Sequence, residues 1–277
     1  MPASLAYGMG RFFPARLALA LAGILAAPVL LAQEAEERPP FVATPPEVVE
    51  RMLDLAGTTR ADYVVDLGSG DGRIVIEAAR RYGARGLGVD IDARLVAIAR
   101  ENARRAGVES LAAFEQRDAL TTDLSAATVV TLYLLPGLVD RLQPKLLAEL
   151  RPGARIVAHA FPMRGWRPDR RETLRLERRY DRQGSEATIY LWIVPAQVRG
   201  QWEGGEWAFS IQQNFQELEV EARAAGRSRA VTQARIEGAR LQISGEGFAF
   251  DGVAEGGRLR GRLSADGGER ALVLVRR

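Results

Sequence analysis

Short apolar runs alternate with helix-like segments in the first part of the chain, and this alternation constrains the fold more than any other feature. The apolar runs are almost continuous, which is typical of parallel strands that helices cover on both faces. Such alternation predicts a doubly wound α/β domain. The predicted strands span 63–67, 86–90, 111–116, 128–135 and 155–159, and the predicted helices span 73–82, 93–106 and 138–150.

Segments on either side of this core extend the prediction. Apolar residues at 174–176 and 188–193 indicate two more strands with an arginine-rich turn between them. Because no convincing helix separates these strands, we expect an antiparallel pair that completes a Rossmann-like, seven-stranded sheet. Upstream, Thr44 and Glu47 have the spacing of a capping box around Pro45, which predicts the start of a helix.

A different pattern begins after Pro195. Apolar residues then recur at every second position, as in Trp207, Phe209 and Ile211. Glycine pairs at 204–205, 256–257 and 267–268 separate these runs. Alternation of period two with glycine-rich turns predicts a small antiparallel β module over residues 196–277.

A glycine-rich turn, Asp66-Leu67-Gly68-Ser69-Gly70-Asp71-Gly72, joins the first predicted strand to the next helix. Its three glycines allow a ligand to contact the backbone. The NAD-binding pattern G-x-G-x-x-G has its third glycine one position later, where this chain has Arg73. The acids in the turn also disfavour a pyrophosphate. The cationic sulfonium and amino group of S-adenosylmethionine (SAM) suit these charges better.

Further acids follow the second and third predicted strands. Asp90 is placed to accept hydrogen bonds from both ribose hydroxyls, and Asp118 from an adenine amine. The carboxyl ends of the strands meet at one crevice of an open α/β sheet, so we predict a SAM site there. The predicted cofactor-binding residues are Asp66, Gly68, Ser69, Gly70, Asp71, Gly72, Asp90, Ile91, Asp118, Ala119 and Tyr133.

Several polar residues near this crevice also have simple structural interpretations. Asp71 is suited to cap the following helix, and Asp118 is suited to a turn. His159, at the end of the fifth strand, is interpreted as structural rather than catalytic. No residue is identified as a general base from the sequence, so the catalytic residue stays unassigned.

The acids and the glycine turn resemble those of the class I SAM-dependent methyltransferases. The run from Asp66 to Val75, with the upstream Thr44-Pro45, is similar to protein-lysine methyltransferases that act on ATP synthase subunit c and the adenine nucleotide translocase. The resemblance covers about residues 41–195. It implies that the glycine loop holds the methionine moiety, Asp90 the ribose and Asp118 the adenine. It also implies that segment 41–45 closes over the cofactor and that the acceptor is a protein lysine.

Two alternatives to a protein-lysine methyltransferase stay open at this point. One is a small-molecule O- or N-methyltransferase, and the other is an exported binding or scaffold protein with a relict cofactor site. The fourth predicted strand ends in Thr-Leu-Tyr-Leu-Leu-Pro over residues 131–136. This sequence lacks the Asn/Asp-Pro-Pro-aromatic motif of base-amino methyltransferases, which argues against an adenine or glutamine acceptor.

Composition excludes several classes of site and partner. The chain has no cysteine and one histidine, which excludes disulfides, thiolate ligands and cysteine catalysis and argues against a histidine metal site. The net charge of +3 is small and dispersed. Because no basic stripe with interleaved aromatic residues is present, we predict no nucleic-acid partner.

The N-terminus has the pattern of an export signal. Arg11 and Arg16 precede an apolar stretch over 17–31, which ends at Ala32. This pattern predicts a signal peptide or membrane anchor over 1–32, followed by a linker over 33–43 and a methyltransferase domain over 44–195. We therefore expect an exported, periplasmic protein or a membrane-anchored one. A cytoplasmic protein is expected if translation starts later, and SAM itself is a cytoplasmic compound.

Overall fold

The computed structural model describes residues 41–176 and 184–277. The predicted signal peptide or anchor, most of the linker and the arginine-rich turn at 177–183 lie outside the described residues. The segment from Ala43 to Arg277 forms one compact unit. Among the described helices, none has the length and apolar character needed to cross a bilayer.

A seven-stranded sheet forms the first part of this unit, in the order β3-β2-β1-β4-β5-β7-β6. The first five strands are parallel, and β7 runs antiparallel to β5 and β6. The predicted doubly wound sheet and its antiparallel pair are therefore confirmed. Its elements are α1 (Pro46–Leu55), β1 (Tyr63–Leu67), α2 (Arg73–Tyr82), β2 (Arg85–Asp90), α3 (Ala93–Ala106), β3 (Ala112–Gln116), β4 (Val129–Leu132), α4 (Pro136–Glu149), β5 (Arg155–His159), β6 (Arg170–Arg175) and β7 (Glu186–Ile193).

The central strands bury alternate side chains on the two faces of this sheet. Val64, Val129 and Val157 pack in one cluster with residues of α1. Their neighbours Val65 and Val130 pack in a second cluster with residues of α4. Because side chains on one face recur at every second position, the polar residues two positions after the first three valines continue the face that α1 covers. These residues are Asp66, Thr131 and His159.

Two of the differences between predicted and observed element boundaries lie beside the predicted site. Helix α1 begins at Pro46 with Pro45 as its N-cap residue, and no side chain caps it. The hydroxyl of Thr44 contacts His159 instead, so the predicted capping box does not form. Strand β4 ends at Leu132 rather than at residue 135, because Leu135 is already the N-cap of α4.

The second sheet contains nine antiparallel strands in the order β11-β10-β9-β8-β16-β15-β14-β13-β12, as the period-two pattern predicts. Strands β10 and β12 also lie in contact, so the two ends of this sheet approach each other. Aromatic residues such as Trp202, Phe209 and Phe250 fill its interior. The strands are β8 (Gly200–Gly204), β9 (Trp207–Asn214), β10 (Glu217–Ala224), β11 (Arg227–Arg229), β12 (Val231–Glu237), β13 (Arg240–Gly245), β14 (Phe248–Glu255), β15 (Arg258–Ala265) and β16 (Gly268–Arg276).

Replacing Gly72 by alanine should destabilise the protein more than replacing Gly107. Both glycines have positive φ angles, +84° and +67°, which cost an alanine about 1 kcal/mol or more. A Cβ atom on Gly72 would also lie 2.7 Å from Phe114 and 2.8 Å from Ala99, whereas one on Gly107 would contact nothing within 4 Å. Urea unfolding of both variants should therefore give a free energy of unfolding at least about 1 kcal/mol lower for Gly72→Ala. Equal losses would contradict the tight packing at Gly72.

Candidate active site

The loop between β1 and α2 is held against the end of β2 by backbone hydrogen bonds. The amides of Gly68 and Ser69 both donate to the carbonyl of Val89 at 2.9 Å, and the amide of Gly72 donates to that of Ser69 at 2.9 Å. Gly68 has a φ of +79°, and a Cβ atom there would lie 2.6 Å from the side chain of Leu134. The loop is therefore a fixed turn whose backbone lies close to the residues that follow β4.

Asp90 is the acid that ties this loop to the end of β2. Its Oδ2 accepts a hydrogen bond from the amide of Gly70 at 2.9 Å, and its Oδ1 accepts one from the amide of Asp92 at 2.9 Å. Each carboxylate oxygen has two acceptor positions, so both oxygens retain capacity for a further donor. The carboxylate thus stands fixed in orientation, as recognition of a vicinal diol requires.

Asp66 is the most unusual ionisable group of the site. It is only 2% exposed, and its Oδ1 accepts a hydrogen bond from the hydroxyl of Thr131 at 2.6 Å. Burial raises the pKa of Asp66 to about 7; the negative charges of Asp90 and Asp71 act in the same direction, and the bond from Thr131 opposes them. A cation placed beside this carboxyl group would favour its ionised form.

Asp71 is not the N-cap residue of helix α2, which is Gly72. Its Oδ1 nevertheless accepts a long hydrogen bond of 3.4 Å from the amide of Arg73, the first residue of that helix. The carboxylate of Asp71 accepts shorter hydrogen bonds from the guanidinium of Arg73 at 2.9 and 2.6 Å. Arg73 also donates to the carbonyl of Thr44 at 2.7 Å. This pair therefore joins the glycine loop to the segment that precedes α1.

Asp118, predicted to bind adenine, and the predicted cofactor-binding residues Ile91 and Ala119 lie after β2 and β3. Asp118 is exposed, and its Oδ1 accepts a hydrogen bond from the amide of Leu120 at 2.8 Å, which caps a single 3-10 turn over Ala119–Thr121. Ile91 is 49% exposed, whereas Ala119 is buried. The amide of Arg117 donates to the carbonyl of Asp90 at 3.0 Å, so these two strand ends are adjacent. Asp118 is thus a turn residue whose second oxygen is available to a ligand.

Tyr133 and His159 lie side by side at the ends of β4 and β5. Their ring centroids are 4.2 Å apart with an interplanar angle of 36°. Nδ1 of His159 is 3.4 Å from the hydroxyl oxygen of Thr44. His159 is 1% exposed, and burial lowers the pKa of its imidazole to about 4. The imidazole is therefore neutral at physiological pH.

The predicted site residues form a row rather than a single cluster. From one side of the crevice to the other the order is Asp118, Asp90, the glycine loop and Tyr133, because their strands are ordered β3-β2-β1-β4. Three strand spacings separate the first and the last, which is roughly 14 Å. Asp118 and Tyr133 therefore cannot contact the same atom, and only an extended ligand would reach both.

Four polar residues that contribute to this arrangement were not predicted as site residues. Thr131 is the only hydroxyl residue of β4 and lies opposite Asp66 in the register, but the strand predicted over 128–135 also contains Thr128 and Tyr133, so the sequence did not single it out. Asn102 donates from Nδ2 to the carbonyl of Asp71 at 3.0 Å, a contact with no local sequence signal. Arg73 and Thr44 act through contacts between segments 29 positions apart in sequence. Their roles depend on the tertiary fold.

The residues present fit SAM. Ser69 Oγ lies in the glycine loop, is buried and has no hydrogen-bond partner among the described residues, so a polar ligand atom would satisfy it. Three acidic side chains, those of Asp66, Asp71 and Asp90, lie in or beside the loop, and Arg73 is paired with one of them. This balance suits a cationic ligand such as the sulfonium and ammonium of SAM, and it disfavours a pyrophosphate.

Comparisons with known proteins agree with this geometry. The sequence model of the ANTKMT methyltransferase domain matches residues 66–170. A protein-lysine N-methyltransferase from Saccharolobus islandicus is 40% identical over 157 residues, which cover 56% of this chain and 93% of that protein. The adenine nucleotide translocase lysine N-methyltransferase of Mus musculus is 38% identical over 130 residues, which cover 47% of this chain and 56% of that enzyme.

A solved structure gives the same fold. It is described as an RNA methyltransferase from Salinibacter ruber in complex with S-adenosyl-L-homocysteine (SAH), with a TM-score of 0.51 and 50% identity. The match covers 57% of this chain and 96% of that one. SAM is therefore the cofactor, as the glycine turn predicts. On this evidence the chain belongs to the protein-lysine N-methyltransferase family of SAM-dependent enzymes.

Proposed function

We propose that this protein transfers the methyl group of SAM to the side-chain amine of lysine in another protein. The main support is the 40% identity with the archaeal protein-lysine methyltransferase, since the match covers 93% of that protein. When bound, SAM supplies a methyl group that is already activated on a sulfonium sulfur. The chain itself therefore has to bind, orient and desolvate the reactants.

The residues beside the glycine loop suit the stem of a lysine side chain. Leu134 is partly buried next to Gly68, and Leu135 is 58% exposed at the start of α4. Together with the ring of Tyr133, they provide an apolar and aromatic wall. A lysine stem contains four methylene groups and packs well on such a surface.

Radiolabel transfer would test this proposal. The purified protein is incubated with methyl-labelled SAM and an extract of source cells, and the products are divided between protease and ribonuclease treatment. We expect label that protease releases and that mass spectrometry locates on lysine. The chain's only lysine, Lys145, pairs with Glu149 at 2.5 Å and is largely buried, so self-methylation should add little background.

RNA is the second candidate acceptor, because the 50% identical protein from Salinibacter ruber is described as an RNA methyltransferase. Label that ribonuclease releases and protease does not would support RNA and overturn the protein-lysine proposal. An Asp90→Ala variant, which we expect to bind SAM weakly, serves as the control in both arms.

We also propose that the N-terminal apolar stretch anchors the enzyme at a membrane with the catalytic part on the cytoplasmic side. Support comes from the cytoplasmic supply of SAM and from the apolar run over 17–31, which is shorter than the roughly 20 residues that span a bilayer. The arginines at 11 and 16 would favour the opposite orientation if this run crossed the membrane, because positive charges before a span stay on the cytoplasmic side. Alkaline phosphatase fused after Ala43 should be inactive in cells, whereas a fluorescent protein fused there should be bright and membrane-bound. Active phosphatase would contradict this orientation.

A further inference from the structure

His159 has a hydrogen-bonding atom whose role is unexplained by the fold. Its Nε2 is buried and has no hydrogen-bond partner among the described residues, and the whole side chain is only 1% exposed. A buried polar atom without a partner costs free energy, and such atoms are rare in native proteins. His159 ends β5 next to Tyr133, on the opposite side of the glycine loop from Asp90 and Asp118.

The backbone after His159 forms a tight turn. The residue that follows, Ala160, has a φ of +67°, which is uncommon for a residue with a side chain. Its amide donates to the carbonyl of Thr188 at 2.8 Å, and the amide of Phe161 donates to the carbonyl of His159 at 2.8 Å. This tight three-residue turn ends β5 abruptly. Backbone strain of this kind is concentrated at functional sites.

We propose that Nε2 of His159 accepts a hydrogen bond from the amine of the acceptor lysine, while the ring of Tyr133 contacts the lysine stem. This inference rests on the proposed function and names a residue of the same site. Thr44 takes part by accepting a hydrogen bond from Nδ1–H, which leaves the lone pair of Nε2 free to accept. His159 then binds the substrate directly.

The chemistry of the step is consistent with a neutral imidazole. The lone pair of the neutral amine forms the new N–C bond as the S–C bond breaks, and the bonding electron pair goes to sulfur. The product is a methylammonium group, which loses its proton to water. Because burial lowers the pKa of His159 to about 4, the imidazole orients an N–H of the amine but does not take up its proton.

The number of N–H groups on the acceptor amine provides a test that distinguishes direct contact with His159 from a purely structural role of this residue. Unmodified lysine has two N–H groups in its neutral form, whereas dimethyllysine has none. Removing Nε2 should therefore impair methylation of the first substrate more than that of the second. Poly-L-lysine and reductively dimethylated poly-L-lysine serve as the two acceptors.

Two substitutions separate the ring nitrogens of His159. His159→Asn keeps a polar atom near Thr44 and loses Nε2, whereas His159→Gln can extend an amide oxygen towards the Nε2 position. We divide kcat/KM for unmodified poly-L-lysine by kcat/KM for the dimethylated polymer. This ratio should fall about tenfold in His159→Asn relative to the wild type. His159→Gln should recover most of this ratio. Equal losses on both acceptors would overturn the proposal, and SAM affinity by calorimetry verifies that the variants are folded.

The single histidine of the chain allows a direct spectroscopic test that requires no turnover. With ¹⁵N-labelled histidine and saturating SAH, long-range ¹H–¹⁵N spectra should show the proton on Nδ1. Addition of n-butylamine should shift the Nε2 resonance, and butyltrimethylammonium, which has no N–H, should not. A proton on Nε2, or equal shifts with both amines, would overturn the role of His159. Failure of wild-type enzyme to methylate poly-L-lysine would instead count against the proposed function.

Discussion

An Asp90→Ala variant should bind SAM at least about a hundredfold more weakly than the wild type. Asp90 accepts hydrogen bonds from the amides of Gly70 and Asp92, and its remaining acceptor positions are those expected to bind the ribose. The substitution removes the ribose contacts and leaves the amide of Gly70 without its partner. Hydrogen bonds to charged groups contribute about 1.5–3 kcal/mol each, and a hundredfold loss is about 2.7 kcal/mol.

Isothermal titration with SAM and SAH would measure this loss. Asp90→Asn keeps one acceptor oxygen and should bind with intermediate affinity. Asp251→Ala is a suitable control, because Asp251 is paired with Arg240 in the second sheet. If Asp90→Ala unfolds at the wild-type temperature yet binds SAM within threefold of the wild type, the ribose assignment is wrong.

The fold was predictable because local patterns and topology agree in the first sheet. Its buried strands are short apolar runs, and the crossover helices between them leave few alternatives for strand order. In the second sheet, the alternation predicted the module but not its individual strands β8, β10, β11 and β12. In β10, Glu217, Glu219 and Glu221 alternate with apolar residues, but Leu218 and Val220 are only partly buried. A strand with so little fully buried surface gives a weak hydrophobic signal.

The site was predictable only in its local parts. Glycines and acids near the strand ends belong to short motifs, so the turn and Asp90 could be identified from neighbouring residues. The contact of Thr44 with His159 joins residues 115 positions apart, and no periodicity reports such a pair. Thr44 also shows why local reasoning failed: its hydroxyl serves a tertiary contact in place of the helix cap that its sequence position indicates.

Replacing Asp66 by asparagine should stabilise the free protein and weaken SAM binding. The pKa of Asp66 is about 7 in the folded protein, because the carboxyl group is buried, and about 4 in the unfolded chain. Between these values the unfolded chain has lost the proton that the folded protein still holds. The free energy of unfolding therefore falls as the pH rises from 4 to 7, and this effect is constant above pH 7.

Urea unfolding at pH 5 and pH 8 would isolate this contribution. Asp66 should lower wild-type stability by about 3 kcal/mol between these pH values, since each pH unit is about 1.4 kcal/mol. Asparagine does not ionise and still accepts the bond from Thr131, so the variant should lack this decrease. Other titrating groups contribute equally to both proteins and cancel in the comparison. If the free energy of unfolding changed equally in the two proteins between pH 5 and pH 8, Asp66 would already be ionised in the folded protein at pH 5.

Ligand binding should reduce the difference in stability between the two proteins. A cation held beside Asp66 favours the carboxylate, so binding of SAM to the wild type near pH 6 should release a proton. Calorimetry in buffers of different ionisation enthalpy measures this release. Asp66→Asn should release no proton and should bind SAM at most about tenfold more weakly than the wild type. If both proteins bound SAM equally and without proton release, Asp66 would have only a structural role. The expected result means that the buried acid lowers the stability of the free fold and thereby provides a charge that the ligand neutralises.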